Sequence, residues 1–441
     1  MQVSKAANDA FVLQGVSALS PTRARYKVLS LLFVLASLTY LDRLCISAAA
    51  PAIIQEFNFT PVQMGYIFSA FTFAYALFEI PSGWLGDRFG TRQALTRIVL
   101  WWSAFTMLTG ATVGFASLFI VRLLFGAGEA GAIPNSASTV ARWFPTAQRG
   151  RAMGGVCIGH AIGAALTPPI VFILVEWQGW RLTFVEFGAL GFIWCLGWYW
   201  WFRDTPEQHP SANDAEVNLI RSGLPVQPTL SHSIPWRAFL RSKNIFFLCA
   251  MYFAYGYSLY FYITWLPTYL LKARGFTTAS AGLFSALPWV CGAVAFLCGG
   301  WLTDRLVVAG HRKLARCGLG AFGLSMSALM LVFVALAGNN VVAASLIAAA
   351  LFFQFLTTPA VWATCLDIGR GRSGVLTGTV NTFGNLAGTI APIAFGYILQ
   401  KWGSWTIPFY LAAGFLVIGV VMWLFIDPEQ PLEEPQTVEA V

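Results

Sequence analysis

The sequence predicts an all-α membrane protein with twelve transmembrane helices in two six-helix halves. The first of three observations behind this prediction is composition. Of the 441 residues, 57% are hydrophobic and only 10% are charged, and the mean hydropathy is +0.66. Soluble domains carry about 25% charged residues. So few charges cannot cover a soluble protein of this size, and we expect most of the surface to face lipid.

The second observation is a series of apolar stretches, each roughly 20 residues long and therefore able to cross a bilayer as a helix. Helices are expected because lipid cannot satisfy the polar groups of an open backbone. The predicted spans are 28–52, 62–84, 94–113, 116–139, 152–175, 181–202, 245–270, 279–303, 315–337, 341–365, 373–399 and 405–426.

A proline-rich polar stretch separates six spans from six and indicates a linker. The N-terminal segment has no apolar core, so we expect no cleaved leader, and we expect the acidic tail to be solvated. The predicted units are a cytoplasmic N-terminal segment (1–25), an N-terminal six-helix bundle (26–202), a cytoplasmic linker (203–243), a C-terminal six-helix bundle (244–426) and a cytoplasmic tail (427–441).

The third observation is an internal repeat. Gly83-Trp-Leu-Gly-Asp87-Arg88 follows the second span, and Gly300-Trp-Leu-Thr-Asp304-Arg305 follows the eighth. The fifth and eleventh spans also share a pattern, in which the intervals between the residues are equal: Gly150, Gly154 and Pro168 in the fifth, and Gly374, Gly378 and Pro392 in the eleventh. Two repeated six-helix halves are the architecture expected for alternating access, with a substrate site between the halves near the midplane.

The distribution of positive charge predicts the orientation. If both termini are cytoplasmic, Arg181, Lys272, Arg274 and Lys401 lie outside, and Arg43 and Arg122 lie within spans. All the other residues among the 27 Lys and Arg then lie inside. The reversed orientation would place most of the positive charge outside, and we reject it.

Several function classes are disfavoured. The net charge of +8 is scattered over short loops without a basic run, so we expect no nucleic-acid partner. The eight cysteines lie in or beside apolar spans without a C-x-x-C pair, which predicts apolar filler and no metal site. No Walker A sequence is present, so ATP-driven transport by this chain alone is not expected. No nucleophile–base constellation indicates an enzyme.

The G-x-L-x-D-R-x-G-x-R motif after the second span resembles the cytoplasmic signature of the major facilitator superfamily, and its second copy strengthens the resemblance. The expected fold is therefore the major facilitator fold. The glycines allow close helix approach, and we expect the charged residues to form a cytoplasmic latch. The alternative is that Arg88 and Arg92 only set topology. The predicted gating residues are Gly83, Asp87, Arg88, Arg92, Asp304 and Arg305.

A narrower resemblance is to the anion:cation symporter family, which includes bacterial sugar-acid transporters, sialin and the vesicular glutamate transporters. The motifs are Tyr40-Leu-Asp42-Arg43, Arg122-x6-Glu129-Ala-Gly-x3-Asn135, Trp180-Arg181-x2-Phe184 and Asn381-x3-Asn385-x2-Gly388. The resemblance implies proton-coupled movement of organic carboxylates, with Arg43 meeting the substrate anion and Asp42 and Glu129 carrying protons. Protons are the coupling ion, and no other cofactor is implied.

Ionisable residues within spans support this interpretation independently, because they are costly in a bilayer and mark functional sites. Asp42 and Arg43 lie near the centre of the first span and point about 100° apart. Arg122 and Glu129 lie two turns apart on one face, which makes Arg122 the candidate partner of Glu129 in proton coupling. The alternative is a pair of structural ion pairs that only hold helices together.

The remaining candidates lie on other spans. His160 departs from the glutamine frequent in sugar-acid members, and it is either a substrate ligand or a structural histidine. Glu79, where an uncharged residue is usual, stays uncertain between a proton site, a partner for an inner-gate arginine and a structural acid. The C-terminal half offers neutral polar and aromatic groups, which either grip the substrate or pack helices. The predicted substrate-binding residues are Arg43, Tyr75, His160, Tyr262, Trp362, Asn381 and Asn385.

The predicted function is proton-coupled symport of organic carboxylates by alternating access. The favoured substrate class is sugar acids such as galactonate, glucarate or hexuronates, and the next is aromatic carboxylates such as phthalate. An exporter of drugs or metabolites on the same fold is the alternative, and a membrane enzyme or sensor is the least favoured. We expect a monomer in the bacterial inner membrane whose partners are a small organic anion, protons and lipid.

Overall fold

The structure, a computed structural model, describes residues 20–221, 239, 241–370 and 373–430, without the side chains of Ile80 and Asp87. Most of the predicted N-terminal segment and tail, and the centre of the predicted linker, lie outside the described residues. The described chain is a succession of helices joined by short connections.

The N-terminal half contains six long helices, and the fourth is in two parts. They are α1 Ala24–Phe57, α2 Pro61–Phe89, α3 Thr91–Thr109, α4 in two parts (Phe115–Glu129 and Ala132–Trp143), α5 Thr146–Gln178 and α6 Trp180–Trp201. A 3-10 turn, Pro206–Gln208, and a linker helix, Asp214–Arg221, follow.

The C-terminal half repeats this order. Its helices are α7 (Lys243–Thr264, Leu266–Thr268 and the π-helical turn Tyr269–Ala273), α8 Thr278–Val308, α9 (the π-helical turn Leu314–Gly318 and Leu319–Leu336), α10 (Asn340–Leu356 and Thr358–Gly369), α11 Ser373–Trp402 and α12 Thr406–Leu424.

The twelve helices match the twelve predicted spans. Ten are long and apolar enough to cross a membrane by length and composition alone, and they include the broken α4 and α10. The other two are α2, which ends in the charged signature motif, and α3, which begins in it. Several helices run a few residues past the predicted apolar limits, because a helix continues through the polar boundary of the bilayer.

The fourth helix of each half is broken, a feature that the spans predicted at 116–139 and 341–365 did not include. In α4, Ala130 is extended and Gly131 has φ +95°, a left-handed conformation that favours glycine. In α10, Thr357 precedes a new helix whose first turn contains Pro359. The break in α4 places Glu129 at the end of a helix segment.

The two halves meet mainly through α2 against α11 and α5 against α8. We call the end where α1 begins the inner end and the end where α1 finishes the outer end, following the predicted orientation. Hydrogen bonds join the halves at the outer end: Ser47 donates to the Thr264 carbonyl (2.8 Å), and the Val62 N–H donates to Gln400 (3.4 Å). Further in, Thr72 donates to the Gly388 carbonyl (3.0 Å).

The inner end has space between the halves. A Cβ added at Gly150 or Gly154 of α5, or at Gly374 or Gly378 of α11, would meet no atom within 4 Å. At the outer end, by contrast, a Cβ on Gly65 would lie 2.6 Å from the Pro392 carbonyl oxygen. At these positions the halves are packed more tightly at the outer end than at the inner end.

The linker helix is fixed to the start of α1 by Glu216, whose side chain is fully buried. Its carboxylate accepts the Arg25 N–H (3.1 Å), the Arg25 Nη1 (3.0 Å), the Ala24 N–H (3.2 Å) and the Thr22 hydroxyl. First-turn N–H groups of a helix need such acceptors, and a carboxylate there also suits the helix dipole.

Just before the linker helix, His209 is held between aromatic rings. Burial lowers the pKa of His209, and positive charges nearby act in the same direction. The neutral imidazole suits its contacts, since Nδ1 accepts the Ser211 N–H (3.1 Å) and Nε2 faces the Trp201 carbonyl (3.0 Å). The described part of the linker is therefore packed against the N-terminal half.

We expect Glu216→Ala to lower the stability of the N-terminal half by about 3–5 kcal/mol, because it leaves Arg25 and two N–H groups buried without their acceptor. The measurement is the thermal unfolding midpoint in detergent. The matched control is Glu207→Ala, which removes an exposed pair with Arg221 and should cost about 0–1 kcal/mol. Equal midpoints for the two variants would contradict the docking role.

Candidate functional site

A buried ion pair joins α1 and α4 in the middle of the N-terminal half. Arg43 Nε donates to Glu129 Oε1 (3.0 Å), and Arg43 Nη2 donates to the same oxygen. The Glu129 side chain is fully buried, whereas the Arg43 side chain keeps 7% exposure. Glu129 Oε2 has no hydrogen-bond partner in the described part of the chain. The sequence prediction paired Glu129 with Arg122 on its own helix, but the structure pairs it with Arg43.

A second acid and a second base lie beside this pair. Asp42 is 1% exposed, and both its carboxylate oxygens are without a hydrogen-bond partner among the described residues. Arg122 is 2% exposed, with its guanidinium over the rings of Phe125 (4.4 Å) and Phe71 (5.3 Å). Two acids and two bases are thus buried together. Such a set is tolerable only when its charges are balanced.

Aromatic rings surround the Arg43 guanidinium. Its carbon lies 4.9 Å from the Phe71 ring centre, 5.0 Å from Tyr75 and 5.2 Å from Tyr40, distances typical of cation–π contacts. Tyr40 in turn contacts His160 of α5 with ring centres 5.0 Å apart. Tyr40 and His160 are only half-buried, so this cluster is the face that the ion pair presents to the space between the halves.

The C-terminal half faces the cluster. Trp289 of α8 packs edge-on against Tyr40, with ring centres 6.0 Å apart. Trp362 of α10 is half-buried and lies against Tyr252 (5.2 Å). Tyr262 is 1% exposed, and its hydroxyl has no hydrogen-bond partner within the described ranges. Trp362 therefore has access to the space between the halves, while Tyr262 is enclosed in the C-terminal half.

Glu79 of α2 is bound directly to α11. Asn381 Nδ2 donates to both Glu79 oxygens (2.8 and 3.0 Å), and Asn385 Nδ2 lies 3.5 Å from Oε2. The side-chain oxygen of Asn385, Oδ1, accepts a hydrogen bond from the Tyr260 hydroxyl (3.0 Å). The two amides predicted to bind substrate are thus occupied by a carboxylate of the protein itself. This contact spans the two halves.

The predicted gating residues lie at the inner end, and those whose side chains the structure describes form no ion pair with one another. Arg88 lies over Trp84 (5.3 Å), Arg305 lies over Trp301 (4.5 Å), and Asp304 is exposed. A Cβ on Gly83 would lie 3.6 Å from Pro134, which fits the close approach of α2 to α4. The Asp87 side chain lies outside the described part.

The hydrogen bonds and ion pairs of charged residues described at the inner end lie within each half. Arg92 donates from Nε to the Tyr199 carbonyl (3.1 Å), and its backbone N–H donates to Asp204 (2.9 Å). Asp367 of α10 binds Arg312 (2.6 Å) and Arg316 (2.8 Å). Charges confined to separate halves are consistent with the halves being apart at this end.

If Asp87 belongs to a latch that stabilises the outward-open state, Asp87→Asn should favour the inward-open state and slow turnover with little change in substrate affinity. The measurement is labelling of Gly154→Cys from the inner side, in a background without the eight native cysteines. We expect faster labelling with Asp87→Asn, and the same direction for Asp304→Asn. Unchanged labelling with normal transport would reduce both residues to topological charges.

The structure brings Glu129, Tyr75 and, through Tyr40, His160 into one cluster around Arg43. Asn381 and Asn385 lie with Glu79 instead. Sequence reasoning did not select Tyr40, Trp289 or Tyr260 for the site. Tyr40 carried a signal, since it opens the motif that contains Asp42 and Arg43, and it is the ring that links Arg43 to His160. Trp289 and Tyr260 carried none, because nothing in the sequence distinguishes them from other aromatic residues of their helices.

Comparison with known proteins gives consistent results. The sequence model of the Major Facilitator Superfamily matches residues 32–392 and 310–440. The probable sulfoacetate transporter of Cupriavidus necator is 35% identical over 416 residues, covering 94% of this chain and 96% of the relative. The hexuronate transporter of Bacillus subtilis is 30% identical, covering 90% and 93%. The probable galactarate/D-glucarate transporter of Escherichia coli is 31% identical, covering 92% and 94%.

These relatives are named as transporters, which confirms the resemblance stated above and the prediction that the chain is not an enzyme. A crystal structure of a bacterial homologue of the human lysosomal transporter Spinster, inward-facing and unoccupied, superimposes with a TM-score of 0.76. It covers 91% of this chain and 97% of that one at 19% sequence identity. At this level of sequence identity, the likeness shows that the two proteins share a fold.

Proposed function

Because this chain belongs to the major facilitator superfamily, we propose that its central site carries organic carboxylates together with protons by alternating access. The observation that carries the proposal is the buried pair Arg43–Glu129, which lies near the middle of α1 beside Asp42, whose carboxylate oxygens make no hydrogen bond among the described residues. The site faces the space between the halves, where the substrate of such a fold is expected.

Arg43 is the proposed ligand for the substrate anion. A guanidinium binds a carboxylate through two parallel N–H donors, and two of the Arg43 donors are now used by Glu129. A substrate carboxylate can therefore replace Glu129 at Arg43 without changing the type of contact. The rings of Tyr40 and Tyr75 exclude water from that contact and so strengthen it.

Proton coupling follows from charge balance. When a substrate anion takes Arg43, Glu129 loses its cation in an apolar environment, where a bare carboxylate is strongly disfavoured. Uptake of a proton by Glu129 removes that penalty, so substrate and proton bind together. Asp42, which has no donor in the described part, is the second proposed carrier. Arg122 remains nearby and compensates whichever acid is ionised.

Sugar acids are the proposed substrate class, with galactonate, glucarate and hexuronates as the first candidates. Two of the relatives compared above are named for hexuronate and for galactarate and D-glucarate, and a third is named for sulfoacetate. The hydroxyl-bearing body of a sugar acid suits the polar groups of the predicted site, namely the side chains of Tyr75 and His160 and the indole of Trp362. The amides of Asn381 and Asn385 are held by Glu79. We propose the bacterial inner membrane as the location, with both termini cytoplasmic and the protein a monomer.

The experiment is uptake into proteoliposomes with an acidic exterior, using labelled galactonate, glucarate, glucuronate, sulfoacetate and phthalate. The proposal expects accumulation of at least one sugar acid, abolished by a protonophore. Accumulation that ignores the protonophore would contradict proton coupling. Uptake of phthalate alone would contradict the sugar-acid class, and export of all five acids would contradict import.

A further inference from the structure

Glu79 is a carboxyl group that the proposed transport cycle does not use. It lies four residues after Tyr75 on α2, which is one helical turn or about 6 Å along the axis. Tyr75 contacts Arg43 with the guanidinium 5.0 Å from its ring. An acid held by Arg43 and extending inward along α2 therefore brings its far end to Glu79.

The hydrogen bonds around Glu79 are of a single kind. Asn381 Nδ2 donates hydrogen bonds to both Glu79 oxygens, and Asn385 Nδ2 donates to Oε2. The Asn385 amide is oriented by Tyr260, whose hydroxyl donates to its carbonyl oxygen and leaves the NH2 group toward Glu79. Because the amide groups around Glu79 all donate, they favour the ionised carboxylate, which only accepts hydrogen bonds. In the described part of the chain Glu79 forms no ion pair, so its charge stays available to a ligand.

From this geometry we infer that Glu79 makes the site selective for monoanions, which favours galactonate and hexuronates over glucarate with its two carboxylates. This inference rests on the proposed function. In its ionised form, Glu79 gives this end of the site a negative charge, and the amide donors there are already used on it. A second carboxylate at the far end of the substrate would meet like charge and no free donor. A hydroxyl group there can donate to Glu79 and accept from the amides as they turn.

Without Glu79, the amides of Asn381 and Asn385 would be free to bind a second acidic group. The protein's own carboxylate occupies that place. Selectivity of this kind comes from a repulsive element in the site and needs no additional attractive contact to the preferred substrate.

The test compares two acids that differ only at the far end: galactonate, with a terminal hydroxyl, and galactarate, with a terminal carboxylate. Binding of each is measured by competition against a labelled acid in purified protein. We expect wild type to bind galactonate at least tenfold more tightly than galactarate. In Glu79→Gln the ratio should fall to about threefold or less, mainly through tighter binding of galactarate. The distant control Glu207→Gln should keep the wild-type ratio.

The outcomes separate this inference from the proposed function. Equal affinity of wild type for the two acids, or preference for galactarate, would overturn the selectivity role and leave the proposed transport of sugar acids standing. A wild-type ratio that Glu79→Gln does not change would also overturn it. Binding of neither acid by wild type would count against the proposed function itself and the inference with it. The wild-type ratio is informative even if the variant fails to fold.

Discussion

Substitution of Arg43 by alanine is expected to abolish detectable substrate binding. The guanidinium is the cation that faces the space between the halves, and its donors match a carboxylate in pairs. Losing one partner of a buried charged contact costs about 2–5 kcal/mol or more, which is roughly a 30-fold to several-thousand-fold loss of affinity. Titration calorimetry with the acid that wild type binds best measures this loss.

Two control variants separate binding from folding. Arg43→Ala leaves Glu129 without its cation, so the double variant Arg43→Ala/Glu129→Gln restores charge balance and should fold while still failing to bind. Arg97→Ala removes an exposed arginine of α3 and should bind normally. Arg43→Lys should retain at most a trace, because an ammonium cannot present two parallel donors. Wild-type affinity in Arg43→Ala would remove Arg43 from the site.

Glu129→Gln is expected to lose accumulation driven by a pH gradient while it keeps substrate binding. The glutamine imitates a permanently protonated acid, so Arg43 stays available to the substrate but no proton is released. Gradient-driven uptake should fall to the level of equilibration, whereas counterflow, which exchanges substrate for substrate, should continue.

Uptake and counterflow are measured in the same proteoliposomes, so that a folding defect would show as loss of both. Asp42→Asn is the companion variant, because Asp42 is the second proposed proton carrier and has no hydrogen-bond partner in the described chain. Continued accumulation by Glu129→Gln on an imposed proton gradient would assign coupling to Asp42 or Glu79 instead.

The spans and the two-half architecture were predictable because they rest on local composition and on a repeat that is visible in the chain itself. The breaks in α4 and α10 were not predicted. The sequence around Gly131 and Pro359 is apolar on both sides, and an apolar run indicates a span whether or not the helix inside it is continuous. Helix ends were set by local signals such as the Thr60 cap of α2.

The composition of the site was predictable, but its pairing was not. Residues seven apart share a helix face, which is why Arg122 was the expected partner of Glu129. The observed partner, Arg43, lies on another helix, and its position depends on how α1 packs against α4. Periodicity describes one helix at a time and contains no information about which face meets which.

Glu79 illustrates the same limit across the two halves. Its spacing from Tyr75 placed it on the face of α2 that carries Tyr75, and Asn381 and Asn385 were expected on one face of α11. Their contact arises from packing of α2 against α11 between halves that are separate in sequence. What the sequence did indicate was the departure from the family pattern, which marked Glu79 as a residue to explain.

Proton entry measured together with substrate entry tests the central claim most directly. Proteoliposomes containing a pH-sensitive dye are prepared with no pH gradient, the membrane potential is clamped, and the acid that binds best is added outside. Coupled transport through Arg43, Glu129 and Asp42 predicts that the lumen acidifies as the acid enters, and that Glu129→Gln abolishes the acidification. Substrate entry without acidification of the lumen in the wild type would contradict proton-coupled transport by this site.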